Sequence, residues 1–139
     1  MESTVLSKSL TILLFFGYEI GLNLSNGQES GAEERNPGEI ITEIRSLLNQ
    51  TIIEYQNKNS SGASALVEEA YLENYEYIEA PLAEQNETLM EETEVMLREQ
   101  LRDLVKSDSV EADVQTLLQK INSNLDQADQ LLTNQTETN

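Results

Sequence analysis

Four glutamates in the middle of the chain have the types and spacing to do chemistry. Glu69, Glu73 and Glu76 are spaced i, i+4, i+7, and Glu79 follows one turn later. On an α-helix this spacing places the carboxylates on one face, where like charges repel. A hard cation such as iron(III), calcium, magnesium or manganese would relieve that repulsion. The alternative is a solvated face, because these glutamates lie roughly opposite the apolar stripe of the same helix.

Glu94 is a second candidate, because its helical position is shared with apolar residues. It falls on the same arc as Leu97, Leu101 and Val105, and a carboxylate that points inward needs a partner. Arg98, one turn later, can supply that partner as an ion pair. Ion pairing with Arg98 and a ligand role therefore remain as two interpretations of Glu94.

The composition excludes most conventional catalysis. The chain has no histidine, cysteine or tryptophan, so the usual ligands of zinc, copper and haem and the usual nucleophile and base pairs are missing. A hydrolase with paired glutamates is disfavoured, because few bases poised near neutral pH remain. We expect a binding module and not an enzyme.

The net charge limits the classes of partner that the chain can bind. Twenty-six acidic residues against eight basic ones give a formal net charge of −18. Such a chain repels nucleic acid and anionic membranes, so we expect neither as a partner. Cations or basic proteins are favoured.

Capping residues and apolar spacing predict two helices in the first half of the domain. Asn36 as cap, Pro37 at the first position and Glu39 three residues after the cap begin helix one, about residues 37 to 57. Helix two starts at Ala63, and Pro81 should end or kink it. The predicted inward positions of these helices are Ile40, Ile44, Leu47, Leu48, Thr51, Tyr55, Leu66, Val67, Ala70, Tyr71, Asn74, Ile78 and Leu82.

Two more helices are predicted in the second half, about residues 86 to 106 and 109 to 132. Asp108 with Glu111 reads as a capping box for the last one. The predicted inward positions are Met90, Thr93, Leu97, Leu101, Leu104, Val105, Val110, Val114, Leu117, Ile121, Leu125, Ala128 and Leu132. Because short links make neighbouring helices antiparallel, the sequence predicts an all-α, up-down-up-down four-helix bundle over residues 36 to 132. Residues 133 to 139 are predicted to be a disordered tail.

The N-terminal segment has the features of a targeting sequence. Lys8 precedes an apolar run over residues 10 to 16, and Ser25 and Gly27 suit a cleavage site before Gln28. Residues 1 to 27 are therefore predicted to be a signal peptide or a short anchor, with an N-terminal helix of the fold as the alternative. Residues 28 to 35 are predicted to be a flexible linker. The expected location is extracytoplasmic, either secreted or membrane-associated, with membrane contact only through an uncleaved leader.

Residues 65 to 102 resemble a known extracytoplasmic domain. The shared features, in chain order, are Ala70-Tyr71, Tyr75-Glu76, Ile78-Glu79, Leu82, Glu94 and Leu101-Arg102. This pattern resembles the helical domain that precedes the membrane part of iron permeases of the iron/lead transporter family. The resemblance implies an all-helical module that handles iron, with Glu76, Glu79 and Glu94 as the matched acidic positions.

The sequence also departs from that family. The Arg-Glu-Gly-Leu-Glu motif of the permease membrane helices is absent, and the His-x-x-Glu signature of imelysin-type iron proteins requires a histidine that the chain lacks. We therefore expect an accessory or stand-alone relative that binds or passes iron or another hard cation, with Glu76, Glu79 and Glu94, and also Glu73 and Glu69, as metal ligands. A protein partner at the membrane is a further expectation. The alternative is a structural or ligand-sensing interaction domain without metal.

Overall fold

The computed structural model describes residues 35 to 138, with side chains up to Thr133, and this part of the chain is helical without any strand. The prediction of an all-α fold is therefore confirmed. The predicted signal segment and all of the predicted linker except Arg35 lie outside the described residues. Within the described span, no helix combines the length and the apolar character needed to cross a membrane.

Helix α1, Pro37–Gln56, begins as predicted. The Asn36 side chain accepts a hydrogen bond from the Glu39 N–H at 2.8 Å, and Pro37 occupies the first turn. All six predicted inward residues of this helix are buried, together with Ile41. The apolar stripe therefore faces the core as the spacing required.

A hydrogen-bonded turn built on Lys58 ends α1. Lys58 has a positive φ of 66°, and its N–H donates to the Tyr55 carbonyl at 3.0 Å while the Asn59 N–H donates to the Glu54 carbonyl at 2.9 Å. These two bonds define a Schellman motif, which satisfies carbonyls that the helix end leaves without donors. The chain then starts a new helix at once.

Residues 60 to 106 are helical apart from one break, and the helical pitch is not uniform. Helix α2, Ser60–Ala70, passes into a π-helical segment, Tyr71–Tyr75, and then into helix α3, Glu76–Val95. A second π-helical segment, Met96–Leu101, leads into helix α4, Arg102–Lys106. We name the two π-helical stretches the first and second π segments.

The break in this run lies at Asn86 and not at Pro81. Pro81 lies inside α3 and is exposed, whereas Asn86 has non-helical angles of φ −161° and ψ 91°. Pro81 was predicted to end or kink the helix, and it does not end it. The proline removes one helical hydrogen bond, but Ile78 and Leu82 on either side of it are buried in the core and keep the segment helical. Asn86 interrupts the ladder and caps the next helical stretch, since its side-chain oxygen accepts from the Leu89 N–H at 3.0 Å.

Residues before and after Asn86 pack against each other in opposite directions along the chain. The Tyr75 hydroxyl donates to the Met90 carbonyl at 2.9 Å, and further from the break the Tyr71 hydroxyl donates to Glu94 at 3.4 Å. Helix α2 in turn contacts α4. The helical stretch before Asn86 and the helical stretch after it therefore run antiparallel to each other.

Helix α5, Glu111–Thr138, packs against α1 and α3. It differs from the prediction at both ends. Val110 precedes the helix and is 66% exposed, so it is not part of the buried stripe. At the other end the helix continues to Thr138, so the predicted disordered tail is helical as far as that residue. The other six predicted inward residues, Val114, Leu117, Ile121, Leu125, Ala128 and Leu132, are buried.

The predicted capping box at the start of α5 was also wrong. Asp108 has a positive φ of 58°, and its N–H donates to the Val105 carbonyl at 3.4 Å while the Ser109 N–H donates to the Leu104 carbonyl at 3.1 Å. Asp108 thus occupies the left-handed position of a second Schellman motif and closes the preceding helix. The Tyr55 hydroxyl hydrogen-bonds to the Ser109 carbonyl, which fixes this link to the end of α1.

Candidate functional site

The first π segment changes which side chains face the core. A π turn contains one residue more than an α turn, so it shifts the helical register of the residues after it. Asn74 and Tyr75 are consecutive in sequence and both buried, with 2% and 0% exposure. Regular α-helical spacing predicted only Asn74 inside. The same shift leaves Glu79 partly buried while Glu76 stays exposed.

Glu79 carries an unsatisfied buried oxygen. Its Oε2 atom is buried and has no hydrogen-bond partner among the described residues. Burial raises the pKa of this carboxyl above its usual 4.5, and the negative charges of Glu94 and Glu76 raise it further. The Tyr71 hydroxyl and the Arg98 guanidinium act in the opposite direction.

Glu94 faces the same region from the other side of Asn86. Its side chain is 21% exposed, and its Oε2 atom lies 3.1 Å from Arg98 Nη1. The same oxygen accepts from the Tyr71 hydroxyl at 3.4 Å. Ion pairing with Arg98, one of the two interpretations of Glu94, is therefore present. Arg98 is shared, since its Nη2 atom also contacts Glu99 Oε2 at 3.0 Å.

Two tyrosines stand beside these carboxylates and remain protonated. Burial, together with the charges of Glu79 and Glu94, raises the pKa of Tyr71 to about 12. Burial likewise raises the pKa of Tyr75, with Thr93 acting against the shift. Both hydroxyls therefore act as hydrogen-bond donors at neutral pH. Their rings lie 6.3 Å apart and are tilted by 30°.

Two of the five predicted ligands come together. Glu94 acts electrostatically on Glu79 across the break at Asn86, both are partly buried, and both act on Tyr71. Glu76 also acts on Glu79, but it is exposed, as are Glu69 and Glu73. Within residues 35 to 138, no group of three or more histidine, cysteine, aspartate or glutamate side chains is placed to hold a metal ion. A metal at this position would rely on the Glu79 and Glu94 carboxylates, with water completing its shell. The ligand role of all five glutamates stays a prediction.

The sequence did not point to Tyr75. Tyr75 is spaced four residues from Tyr71, which would place both on one helix face. Asn74 fits the apolar stripe equally well. The π turn buries both Asn74 and Tyr75.

Comparison of the chain with protein-family models, with curated proteins and with solved structures finds no match. The resemblance to the iron permease domain accordingly stays a prediction.

Proposed function

We propose that this chain is a binding module that takes up a hard metal cation between Glu79 and Glu94. One observation carries the proposal: a buried carboxylate oxygen of Glu79 has no hydrogen-bond partner in the described part of the chain, and the charge of a second carboxylate, Glu94, acts on the same group. A buried carboxylate needs a proton, a donor or a cation, because the desolvated charge is otherwise costly. A cation bound by both carboxylates would satisfy it.

The proposed architecture is an up-down-up-down four-helix bundle. The supporting features are the non-helical angles at Asn86, the antiparallel hydrogen bonds across it, and the Schellman motifs at Lys58 and Asp108. These would divide the domain into helices over residues 37 to 56, 60 to 85, 87 to 106 and 111 to 138. Glu79 and Glu94 would then lie on two adjacent antiparallel helices, the arrangement that bundles use for carboxylate metal sites.

The proposed setting is extracytoplasmic. It rests on the signal-like pattern of residues 1 to 27 and on the resemblance of residues 65 to 102 to the iron permease domain. Iron is the cation that this resemblance favours, and calcium, magnesium and manganese share its preference for oxygen ligands. The proposed module binds or passes the cation, alone or with a protein partner at the membrane, and performs no catalysis.

A bound cation would replace the groups that now balance the charges of Glu79 and Glu94. A cation between Glu79 and Glu94 competes with Arg98 for Glu94 and with a proton for Glu79, whose pKa is raised. Uptake should therefore weaken at acidic pH, where protons compete with the cation for Glu79.

The test is a thermal unfolding series of the full chain at constant ionic strength with manganese, calcium, magnesium and, without oxygen, iron(II). A cation that binds only the folded state raises the Tm. The increment should disappear in a Glu79→Gln, Glu94→Gln double variant and persist in Glu91→Gln, which changes an exposed glutamate of the same helix. A parent protein without any increment, or a double variant with the full increment, would reject the site.

Manganese provides a second, positional measurement. Because the ion is paramagnetic, it should broaden the backbone amide signals of Tyr71, Glu79 and Glu94 before those of Glu69 and Glu73. Broadening spread evenly over exposed acidic residues would indicate a diffuse ion atmosphere and contradict the proposal.

An interaction domain without metal is the second candidate. It is favoured by four large apolar side chains that are about half exposed or more: Ile53, Leu72, Tyr77 and Val110. Exposed apolar surface is typical of partner-binding faces when it is contiguous. A protein without any cation response would leave this function ahead.

A further inference from the structure

A cleft is lined by residues from both π segments and by two arginines. Its volume is about 320 Å³, and it is lined by Val67, Glu68, Tyr71, Leu72, Leu97, Arg98 and Arg102. That volume lies at the lower end of the range of small-molecule sites. The lining combines apolar side chains with a few charged groups, which is the usual composition of such sites.

The cleft is lined by more positive than negative side chains, although the chain as a whole is strongly acidic. The protein carries a net charge of −18 with only eight lysines and arginines, yet Arg98 and Arg102 both line this one cleft, against a single carboxylate from Glu68. Arg98 is engaged by Glu94 and Glu99. The guanidinium of Arg102 makes neither an ion pair nor a hydrogen bond within the described residues. A free arginine fork beside apolar walls suits a carboxylate, which it can hold through two parallel hydrogen bonds.

The backbone supplies an independent indication. Tyr71 and Leu72 belong to the first π segment, and Leu97 and Arg98 belong to the second. π turns are rare and occur frequently at functional sites, where the extra residue redirects side chains. Here two of them contribute lining residues to the same cleft.

We propose that this cleft binds a small organic monoanion, with its carboxylate on Arg102 and its hydrocarbon part against Val67, Leu72 and Leu97. A monoanion is favoured over a dianion because Arg98 is already neutralised and Glu68 repels a second negative charge. The two sites have different anchoring residues, Arg102 here and Glu79 with Glu94 in the cation site, so either can fail without the other, although Arg98 lies beside both.

The test is an NMR titration of the full chain with benzoate and with octanoate at constant ionic strength, and with phthalate and octylamine as comparison compounds. Saturable shifts should appear at the Leu72, Leu97 and Arg102 signals with both monocarboxylates. Phthalate should bind more weakly than benzoate, and octylamine should produce no shifts there.

Variants locate the site. Arg102→Gln should weaken benzoate about tenfold or more, because it removes a charge-assisted pair of hydrogen bonds. Lys106→Gln removes the same charge one turn further along and should change the affinity by less than about twofold, since only screened long-range attraction is lost. Leu72→Ser should weaken octanoate, and the fold should persist because Leu72 is 49% exposed.

Three outcomes would overturn the proposal. The first is the absence of saturable shifts with either monocarboxylate. The second is an equal loss of affinity in Arg102→Gln and Lys106→Gln, which would indicate non-specific attraction. The third is binding of octylamine at the same signals, which would show an apolar patch without anion preference. Thermal unfolding of each variant confirms that it is folded.

Discussion

The hydroxyl of Tyr75 donates a hydrogen bond to the backbone carbonyl of Met90 at 2.9 Å, and the Tyr75 side chain is completely buried. This bond joins the first π segment to the helical residues beyond Asn86. It also stands close to the Glu79 and Glu94 carboxylates, which both raise the pKa of Tyr75. The contacts that hold the residues before Asn86 against those after it therefore also position the candidate site.

Removing that hydroxyl should weaken the fold. We expect Tyr75→Phe to lower the free energy of unfolding by about 0.5 to 1.5 kcal/mol, the usual net contribution of one hydrogen bond. Urea titration followed by circular dichroism measures it. Thr116→Val is the control, because it removes the hydroxyl of an exposed side chain within α5, and its change should stay within about 0.5 kcal/mol. Equal effects at both positions would mean that the bond to Met90 adds no stability.

The left-handed residue at the end of α1 offers a stabilising change. Lys58 has a φ of 66°, where a side chain costs about 1 kcal/mol relative to glycine. Lys58→Gly should therefore raise the free energy of unfolding by about 0.5 to 1 kcal/mol, while Lys120→Gly, at an exposed position in the interior of α5, should lower it by about 1 kcal/mol. The gain should be smaller for Asp108→Gly, because aspartate tolerates this conformation better than lysine. A loss of stability in Lys58→Gly would contradict the motif.

The raised pKa of Glu79 predicts a pH-dependent effect. Because the folded state holds the Glu79 proton more tightly than the unfolded state, this group contributes stability below about pH 4.5 and loses it as the pH rises. Without metal, Glu79→Gln should be more stable than the parent near neutral pH, and the difference should shrink as the pH falls toward 4.5. Urea unfolding at several pH values measures it, with Glu91→Gln as the control. A Glu79→Gln variant that is less stable than the parent at neutral pH would show that the charged carboxylate is well solvated.

The two proposed ligands should help each other, because Arg98 stands between their sites. It pairs with Glu94 and lines the cleft, so a cation on Glu94 would free Arg98 for an anion. If both sites exist, saturating manganese should tighten benzoate binding about fivefold or more, and benzoate should tighten manganese by the same factor. Calorimetric titration in both orders checks this. Arg98→Gln should abolish the coupling, and affinities that do not depend on the other ligand would show that the sites are independent.

The burial of α5 can be tested by comparing a core residue of this helix with Val110, which was predicted to be buried and is exposed. Ile121 is completely buried, and Ile121→Ala should lower the free energy of unfolding by about 2 to 5 kcal/mol. Val110→Ala should change it by less than about 0.5 kcal/mol, because this side chain lies outside the helix in solvent. Similar losses at both positions would place Val110 in the core after all.

Local signals were sufficient for the parts of the fold that obey regular spacing. Asn36, Pro37 and Glu39 specify the start of α1 through capping chemistry, and the stripe from Ile40 to Tyr55 is buried as its period requires. The sequence was less informative where two signals compete. Asp108 serves equally well as a helix start or as a left-handed helix end, and the structure uses it as the end.

The candidate site could be predicted only in part for a related reason. The pairing of Glu94 with Arg98 results from a spacing of one turn, and it is present. The burial of Glu79 depends on the π turn before it, and a π turn has no capping residue or composition that marks it. The third helix was predicted to begin at about residue 86, and the break at Asn86 agrees with that start. The sequence did not show that the preceding helix continues past Pro81, because proline is the stronger helix breaker by propensity.

Each π turn amounts to one inserted amino acid within a helix. A homologous chain that lacked the insertion in the first π segment would be one residue shorter there, and its apolar stripe would be out of phase with this one from Glu76 onward. Gaps are ordinarily confined to loops, so an ungapped alignment of this helix would set Glu79 against the wrong column and Leu82 against a surface position. Relatives of this protein would then share its core and its acidic residues while their aligned identity stayed low. A single-residue gap allowed between residues 71 and 75, and another between 96 and 101, would restore the correspondence.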